Sequence, residues 1–324
     1  MQELSNRQFS VSVIIPAFNV EDLVAQALDS VLEQALRPSE IIVVDDGSTD
    51  GTQQQVQRYG EPVRYIRQEN SGPSVARNTG VRAATSDWIA FLDADDIWQA
   101  DKLAADARVA GAAPELSWII SNHYLCVFGD DQKFPRFDPE INQTRLGGSQ
   151  THGSFLETLT WGLGWDPLGI VVKRNVFEDV GGFRPGLNYG EDLDLCLKIA
   201  RLHPMIGVQP HPVAVHFIDR PSGLSLRHSI PKQMDTLRGI FEEHVESASR
   251  TGSLDHLKIT FRTIVQDNMA ALLREGRRID SLKVAVRFHD LLPISYLAAI
   301  SGLLCLPRGL RDRLYEQVQW RIRG

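Results

Sequence analysis

Cysteine is scarce in this chain: Cys126, Cys196 and Cys305 are the only three in 324 residues, and no two stand at C-x-x-C spacing. That excludes a zinc knuckle and offers no disulfide framework, so the natural compartment is a reducing one. Long hydrophobic runs are scarce too. The longest mostly apolar stretch, Leu291 to Leu306, covers 16 residues, contains Pro293 and is followed by basic residues. A bilayer span takes about 20 residues, so this stretch is short for a transmembrane helix. Met1 to Ser10 is polar and leads into a five-residue apolar run too short for a signal-peptide core, which points to the cytoplasm rather than export. There is no P-loop, G-x-G-x-x-G, internal repeat or low-complexity tract. An excess of positive charge is missing as well, and a net charge of -7 gives no global reason to expect a nucleic-acid partner.

What is present is ordinary globular composition, 43% hydrophobic and 23% charged, in a chain long enough for one large domain or two. Charge is uneven. From Arg274 to the end there are ten Lys or Arg against five Asp or Glu, a local +5 that leaves -12 for the remainder.

The stretch around which the rest is organised is Phe91-Leu92-Asp93-Ala94-Asp95-Asp96, where the apolar run from Trp88 stops at three carboxylates within four positions. Two unit charges about 4 Å apart repel by roughly 4 kcal/mol at an effective dielectric near 20, so such a cluster favours a cation among its members. Oxygen ligands suit Mg²⁺ or Mn²⁺, which are commonly shared between one or two carboxylates and substrate phosphates. A solvated turn is the alternative, since Asp is at home in turns and helix caps.

Val11 to Ile15 reads as a strand ended by Pro16, with Ala17-Phe18-Asn19 as its loop. Asn19 is a cap candidate for a helix that places Val24, Leu28, Val31 and Leu32 on one face. Ile41 to Val44 is a second strand, stopped by Asp45-Asp46-Gly47-Ser48-Thr49-Asp50, and Val63 to Ile66 is a third. Ser71-Gly72-Pro73 opens a helix through Ala84, and Trp88 to Leu92 follows as a strand. Apolar strands, charge-free apart from Arg64, alternating with helices imply an α/β fold with a mostly parallel sheet flanked by helices, whose ligands bind outside the strands' carboxyl ends. The loops after the first, second and fourth strands then open at one edge. For Asp45 and Asp46 a turn with an Asp cap remains the competing reading.

Four segments carry a resemblance: Val11-Ser-Val-Ile-Ile-Pro-Ala-Phe-Asn19, Ile41-Ile-Val-Val-Asp-Asp-Gly-Ser-Thr-Asp50, Gly72-Pro-Ser-Val-Ala-Arg-Asn-Thr-Gly80 and Phe91-Leu-Asp-Ala-Asp-Asp96. In this order they resemble the successive motifs of family 2 glycosyltransferases, and the likeness covers about the first two thirds of the chain. The resemblance implies a Rossmann-like GT-A fold that moves a sugar from a nucleotide-sugar donor, with inversion, to a glycan or lipid-linked acceptor. By position Asp46 would contact the nucleobase, Asp93 the ribose or metal side, and Asp95 the metal, Mg²⁺ or Mn²⁺. Pro16, Ala17, Asn19, Asp45 and Ala94 complete the expected donor-binding set, with Arg77 and Asn78 lining the pocket. A polar helix face is the plain alternative for that pair. UDP is the donor nucleotide the resemblance favours, with GDP and dTDP open.

Leu116 to Asn122 reads as another strand, and beyond it an irregular stretch with Pro135, Pro139 and Gly147-Gly148 is assigned to the acceptor side. In Trp161-Gly-Leu-Gly-Trp165-Asp-Pro167 the two Trp residues are either core or the floor under a sugar. Asn188-Tyr-Gly-Glu-Asp192 leads into a helix in which Asp192, Leu195, Cys196 and Ile199 share one stripe. Acids in a first helical turn are favoured by the macrodipole in any case. Glu191-Asp192 nevertheless resembles the family's acidic pair, which makes Asp192 the general base for the attacking hydroxyl and Glu191 a positioning or acceptor-binding residue. His216, Arg227 and His228 stand where the family often places diphosphate or metal contacts, although an isolated His is more often structural.

The expected division is 1–230 for the GT-A domain and 231–324 for a helical extension, in which Met234, Leu237, Ile240 and Phe241, and Leu257, Phe261, Ile264 and Val265, recur at helical spacing. Residues 291–324, apolar with basic flanks, are a candidate for peripheral contact with the inner membrane face or for a homodimer face. A nucleotidyltransferase would call for a Gly- and Lys-rich loop after the first strand, which Pro16-Ala17-Phe18-Asn19 does not provide. A non-catalytic nucleotide-sugar-binding protein stays open, because pocket residues persist without turnover.

Overall fold

The structure, a computed structural model, describes residues 9–127, 129–187, 189–218 and 230–298. Arg227, His228 and the tail from residue 299 lie outside the described residues. The chain forms two compact units, Met1–Leu226 and Arg227–Gly324.

The first unit is built on two sheets. Its strands are β1 (Val11–Ala17), β2 (Glu40–Asp45), β3 (Val63–Arg67), β4 (Trp88–Phe91), β5 (Ile97–Trp98), β6 (Trp118–Ser121), β7 (Tyr124–Val127), β8 (Lys133–Pro135), β9 (Thr151–His152), β10 (Ile170–Lys173), β11 (Ile206–Gln209) and β12 (Ala214–Ile218). The main sheet runs β3-β2-β1-β4-β10-β6-β11-β9. It is mostly parallel, as the buried apolar runs of β1, β2 and β4 imply. Strand β10 enters antiparallel between β4 and β6, so its leading end, the Pro167–Gly169 turn of 3-10 helix, lies at the edge where β4 and β6 finish. The smaller sheet, β5-β12-β7-β8, has no counterpart in the strand pattern of the sequence. Its strands are short and partly exposed, which removes the hydrophobic run that marks a strand.

Two local readings are corrected. Pro16 and Ala17 belong to β1, not to the loop. Beyond Ile14 the strand pairs only with β2, and Pro16 has the parity of Ile14, whose carbonyl faces β4, so the missing N–H leaves no ladder bond unmade. Asn19 does not cap the Val24–Leu32 helix, which begins after Leu23 without a side-chain cap. Instead Asn19 adopts φ 53, receives Thr49 N at 2.8 Å on Oδ1 and donates its own N–H to Ser48 Oγ at 2.9 Å. It thus joins the ends of β1 and β2.

The Pro73–Ala83 helix rides unusually close to the sheet at Gly80. A Cβ there would stand 2.3 Å from Ile14 Cγ2 and 3.3 Å from Val44 Cγ2. Only glycine lets the helix approach β1 and β2 so nearly.

The second unit contains the Ile230–Arg250, Leu254–Arg274 and Arg278–Arg287 helices. The apolar residues at helical spacing are buried, apart from half-buried Ile264, and Phe241 and Phe261 meet edge to face at 5.2 Å. Leu291 and Leu292, at the start of the stretch considered for membrane contact, are buried too. Among the described residues no helix is long and apolar enough to cross a membrane.

Candidate active site

The carboxyl ends of β1, β2, β4 and β6 and the leading end of β10 form one rim, and most of the polar side chains singled out in the sequence stand there. Asp45, the last residue of β2, is buried and accepts Ser48 N at 2.7 Å, Arg67 Nη1 at 3.0 Å and the Tyr65 hydroxyl. It clamps β2 to β3. Asp46 is buried as well: Oδ1 accepts Gln68 Nε2 at 2.7 Å and Ser71 N at 2.9 Å, and Oδ2 accepts Gly72 N at 2.8 Å. A carboxylate has about four acceptor positions, so Asp46 keeps capacity for one more donor. Ala94 is buried behind the rim.

Arg77, from the Pro73–Ala83 helix, connects the acid cluster after β4 with Glu191, which lies 114 residues beyond Arg77 in the chain. Its guanidinium donates to Asp93 Oδ1 at 2.6 Å, lies 3.4 Å from Glu191 Oε1 and stacks over the Phe183 ring at 5.2 Å. The residue is only 4% exposed. Burial works against the cation, but Asp93 and Glu191 outweigh it and hold Arg77 above its ordinary range. Asn78, one residue on, does different work from the pocket-lining role expected of it. Its Nδ2 donates to Phe183 O at 2.7 Å and its Oδ1 accepts Phe183 N at 3.0 Å, so both polar ends are spent on one backbone.

Glu191 and Asp192 open the Glu191–Leu202 helix after Gly190, whose φ of 76° favours glycine. Leu195, Cys196 and Ile199 are buried along the expected stripe, with Asp192 half-buried at its head. Burial first, then the neighbouring charges of Glu191 and Asp166, push the Asp192 carboxyl well above its ordinary value, with Arg77 drawing it back in part. Such a carboxyl holds a proton readily, which is what a general base must do as an acceptor hydroxyl attacks.

The three acids after β4 divide their work. Asp93 and Asp95 are half-buried at the rim, whereas Asp96 is sealed, accepting Phe217 N at 3.0 Å and paired with His216 Nδ1 at 2.8 Å. His216 therefore anchors an acid through Nδ1. Burial alone would lower it, but the bond to Asp96 pushes His216 up to about 9.

Three participants carried no signal of their own in the sequence. His123 follows β6, Asp166 precedes β10 and Arg136 follows β8; Asp166 Oδ2 lies 3.7 Å from His123 Nε2 and 3.4 Å from Arg136 Nε. Burial raises the Asp166 carboxyl, yet His123, Arg136 and His216 outweigh it and leave Asp166 below its ordinary value. Burial holds His123 itself down at about 4, so Arg136 and His216 are the charges that persist at neutral pH. Trp161 and Trp165 are half-buried rather than core, with Arg145 and Arg136 over their rings at 5.6 and 5.9 Å.

Asp93, Asp95, Asp96, Asp166, Glu191 and Asp192 thus share one region with the cations Arg77, Arg136 and His216, leaving an excess of negative charge whose repulsion already shows at Asp192. Half-exposed carboxylate oxygens in such a field suit a hard divalent cation, and Asp93 and Asp95 carry such oxygens at this rim.

Residues 12–114 match the model of Glycosyl transferase family 2. RP339 of Rickettsia prowazekii (strain Madrid E), an uncharacterized glycosyltransferase, is 27% identical over 201 residues, 59% of this chain and 59% of that protein. The chain therefore spans about three fifths of that relative's length. Among solved structures, S. aureus TarS 1-349 in complex with UDP-GlcNAc aligns with a TM-score of 0.69 at 19% identity, covering 88% of this chain and 82% of that one. The mannosyltransferase PcManGT from Pyrobaculum calidifontis, in complex with GDP-Man and Mn²⁺, aligns with a TM-score of 0.58 at 20% identity over 98% and 90%. The architecture is the GT-A fold that the sequence motifs implied.

Proposed function

Since residues 12–114 belong to glycosyl transferase family 2 and the chain has the GT-A fold, we propose that this protein is a glycosyltransferase using a nucleoside-diphosphate sugar. The observation that carries the reading is the Arg77 bridge, which brings the acid cluster after β4 and the Glu191-Asp192 pair to one place. The nucleotide lies along the ends of β1 and β2, where Asp46 offers its remaining acceptor position to the base, beside Pro16, Ala17, Asn19 and Asp45. Asp93 and Asp95 hold Mg²⁺ or Mn²⁺, which when bound neutralises charge on the departing diphosphate. Asp192 takes the proton of the attacking hydroxyl from the face opposite the diphosphate, which inverts the anomeric centre, while Glu191 and Arg77 fix its position. The TarS complexes with UDP and UDP-GlcNAc and the PcManGT complex with GDP-Man and Mn²⁺ support a nucleotide-sugar donor, UDP-linked first and GDP-linked next. The acceptor is a glycan or lipid-linked hydroxyl, met at the cytoplasmic face.

The test is Asp192→Asn beside the parent, with Mn²⁺ and UDP-glucose, UDP-GlcNAc or GDP-mannose as donors, following both binding and acceptor-free hydrolysis. Donor binding kept with turnover lost is the expected result. Equal hydrolysis by both proteins removes Asp192 as the base. Binding without hydrolysis in the parent favours a nucleotide-sugar binder over an enzyme.

A further inference from the structure

His123 is 2% exposed, yet neither of its ring nitrogens has a hydrogen-bond partner. Facing it, Asp166 Oδ2 is sealed from solvent and equally unpaired, and the 3.7 Å from His123 Nε2 is too long for a hydrogen bond between them. Arg136 Nε, 3.4 Å from the same oxygen, closes none either. A buried polar atom left unpaired costs about 1–3 kcal/mol, so two such side chains facing each other call for an occupant that is not protein. Room is kept for the carboxylate by Gly164, where a Cβ would stand 2.9 Å from Asp166 Oδ2.

The pair's place identifies the occupant. On one side the His123 ring lies 6.0 Å from the ring of His216, which is bonded to Asp96 of the acid cluster. On the other side the charge of Asp166 acts on Asp192 and on Tyr189. The pair therefore neighbours the acid cluster assigned to the metal and diphosphate through His216 and Asp96, and its charge reaches the group assigned as base. In a nucleotide-sugar donor, the part between the diphosphate and the attacking hydroxyl is the sugar being transferred.

We propose that His123 and Asp166 bind one hydroxyl of the transferred sugar, which donates to Asp166 Oδ2 and accepts from His123 Nε2; the assignment rests on the glycosyltransferase reading above. A hydroxyl supplies both functions at once, one donor and two acceptor lone pairs. A sugar without that hydroxyl leaves both side chains unpaired again, so the pair selects the donor sugar rather than its nucleotide.

The experiment is calorimetric titration of the full chain with Mn²⁺. UDP-glucose, UDP-galactose, UDP-GlcNAc and GDP-mannose are each compared with the nucleoside diphosphate alone, and the tightest donor is then compared with its deoxy analogues. Asp166→Asn and His123→Gln are expected to leave UDP or GDP affinity within about twofold while weakening the nucleotide sugar about tenfold or more, the size of a charge-assisted hydrogen bond. One deoxy analogue is expected to bind the parent protein about tenfold more weakly than the full sugar and to bind Asp166→Asn no more weakly than the full sugar does. A residue that merely supports the fold does not produce that cancellation. Either variant completes the cycle if the other fails to fold. Equal loss of nucleotide and nucleotide-sugar affinity, or the same deoxy penalties in parent and variants, overturns the subsite, the latter leaving water or an acceptor hydroxyl between the two side chains. A parent protein that binds no nucleotide at all overturns the glycosyltransferase reading and the subsite together, whereas bound donors with unchanged ratios overturn the subsite alone.

Discussion

Asp96 and His216, 120 residues apart, form a 2.8 Å pair that fastens the acid cluster after β4 to the second sheet. Burial raises Asp96 to about 6 while the Asp96 bond raises His216 to about 9. His216 is held above its ordinary 6.5, so its contribution to stability is fully present below about 6.5 and is lost as pH rises through about 9. Asp96, raised from 3.8 to about 6, has the same sense in a lower window, costing stability as pH rises from 3.8 through about 6. Melting curves of metal-free protein with a chelator are therefore expected to fall between pH 6.5 and 9. In His216→Gln the slope over that window flattens, and at pH 6.5 the variant is less stable by about 1–3 kcal/mol because a buried acceptor loses its partner. Parallel slopes for the two proteins would mean that the pair is not the source.

Asp192 presents the same linkage with a functional cost. Its folded carboxyl sits well above the ordinary 3.8, so the ionised form opposes folding once pH passes that value. Asp192→Asn is expected to melt at a higher temperature than the parent at pH 7, with the difference shrinking towards pH 4. Turnover is expected to fall by about a hundredfold or more, the usual weight of general-base catalysis. A variant that is destabilised at pH 7 contradicts the repulsion from Glu191 and Asp166.

The legible part of this fold is the part made of short-range pattern. Charge-free runs such as Ile41 to Val44 mark buried parallel strands, and acids directly after them mark the rim because a parallel sheet sends those ends one way. Asp166 and His123 were hidden for the converse reason. Asp166 reaches the rim only because β10 enters antiparallel between β4 and β6, a long-range pairing that no local periodicity encodes. Asn78 is expected to line the donor pocket with Arg77 on the strength of their shared motif, yet on a helix adjacent positions point apart, and Asn78 meets the Phe183 backbone. Pro16 read as a strand breaker, and the absence of a β4 partner beyond Ile14 is again visible only in the sheet.

Gly80 tests the closeness of helix to sheet. A methyl group at 2.3 Å from Ile14 Cγ2 cannot be accommodated without moving the Pro73–Ala83 helix away from β1. Gly80→Ala would gain helix propensity on an isolated helix, but overpacking of this kind costs about 1–3 kcal/mol. Denaturant unfolding is expected to show a net loss of stability. The same displacement carries Arg77 with it, so turnover is expected to drop more than donor affinity does.

Arg77 offers the most discriminating substitution, because charge and geometry separate there. Replacement by Met leaves Asp93 and Glu191 without their shared cation, a loss of about 3–5 kcal/mol that would confuse folding with function. Arg77→Lys keeps the charge but not the planar fork that reaches Asp93 and Glu191 at once. The folded state is then retained while the acid cluster and the Glu191-Asp192 pair lose their common ruler. A displacement of about 1 Å at a reacting centre costs about a hundredfold in rate, so kcat is expected to fall by that order. In the proposed arrangement most of the nucleotide lies along the ends of β1 and β2, so UDP affinity is expected to stay within about threefold. Steady-state kinetics beside UDP titration separates the outcomes: a rise in KM with kcat intact would place Arg77 on the donor itself rather than between the two acidic motifs.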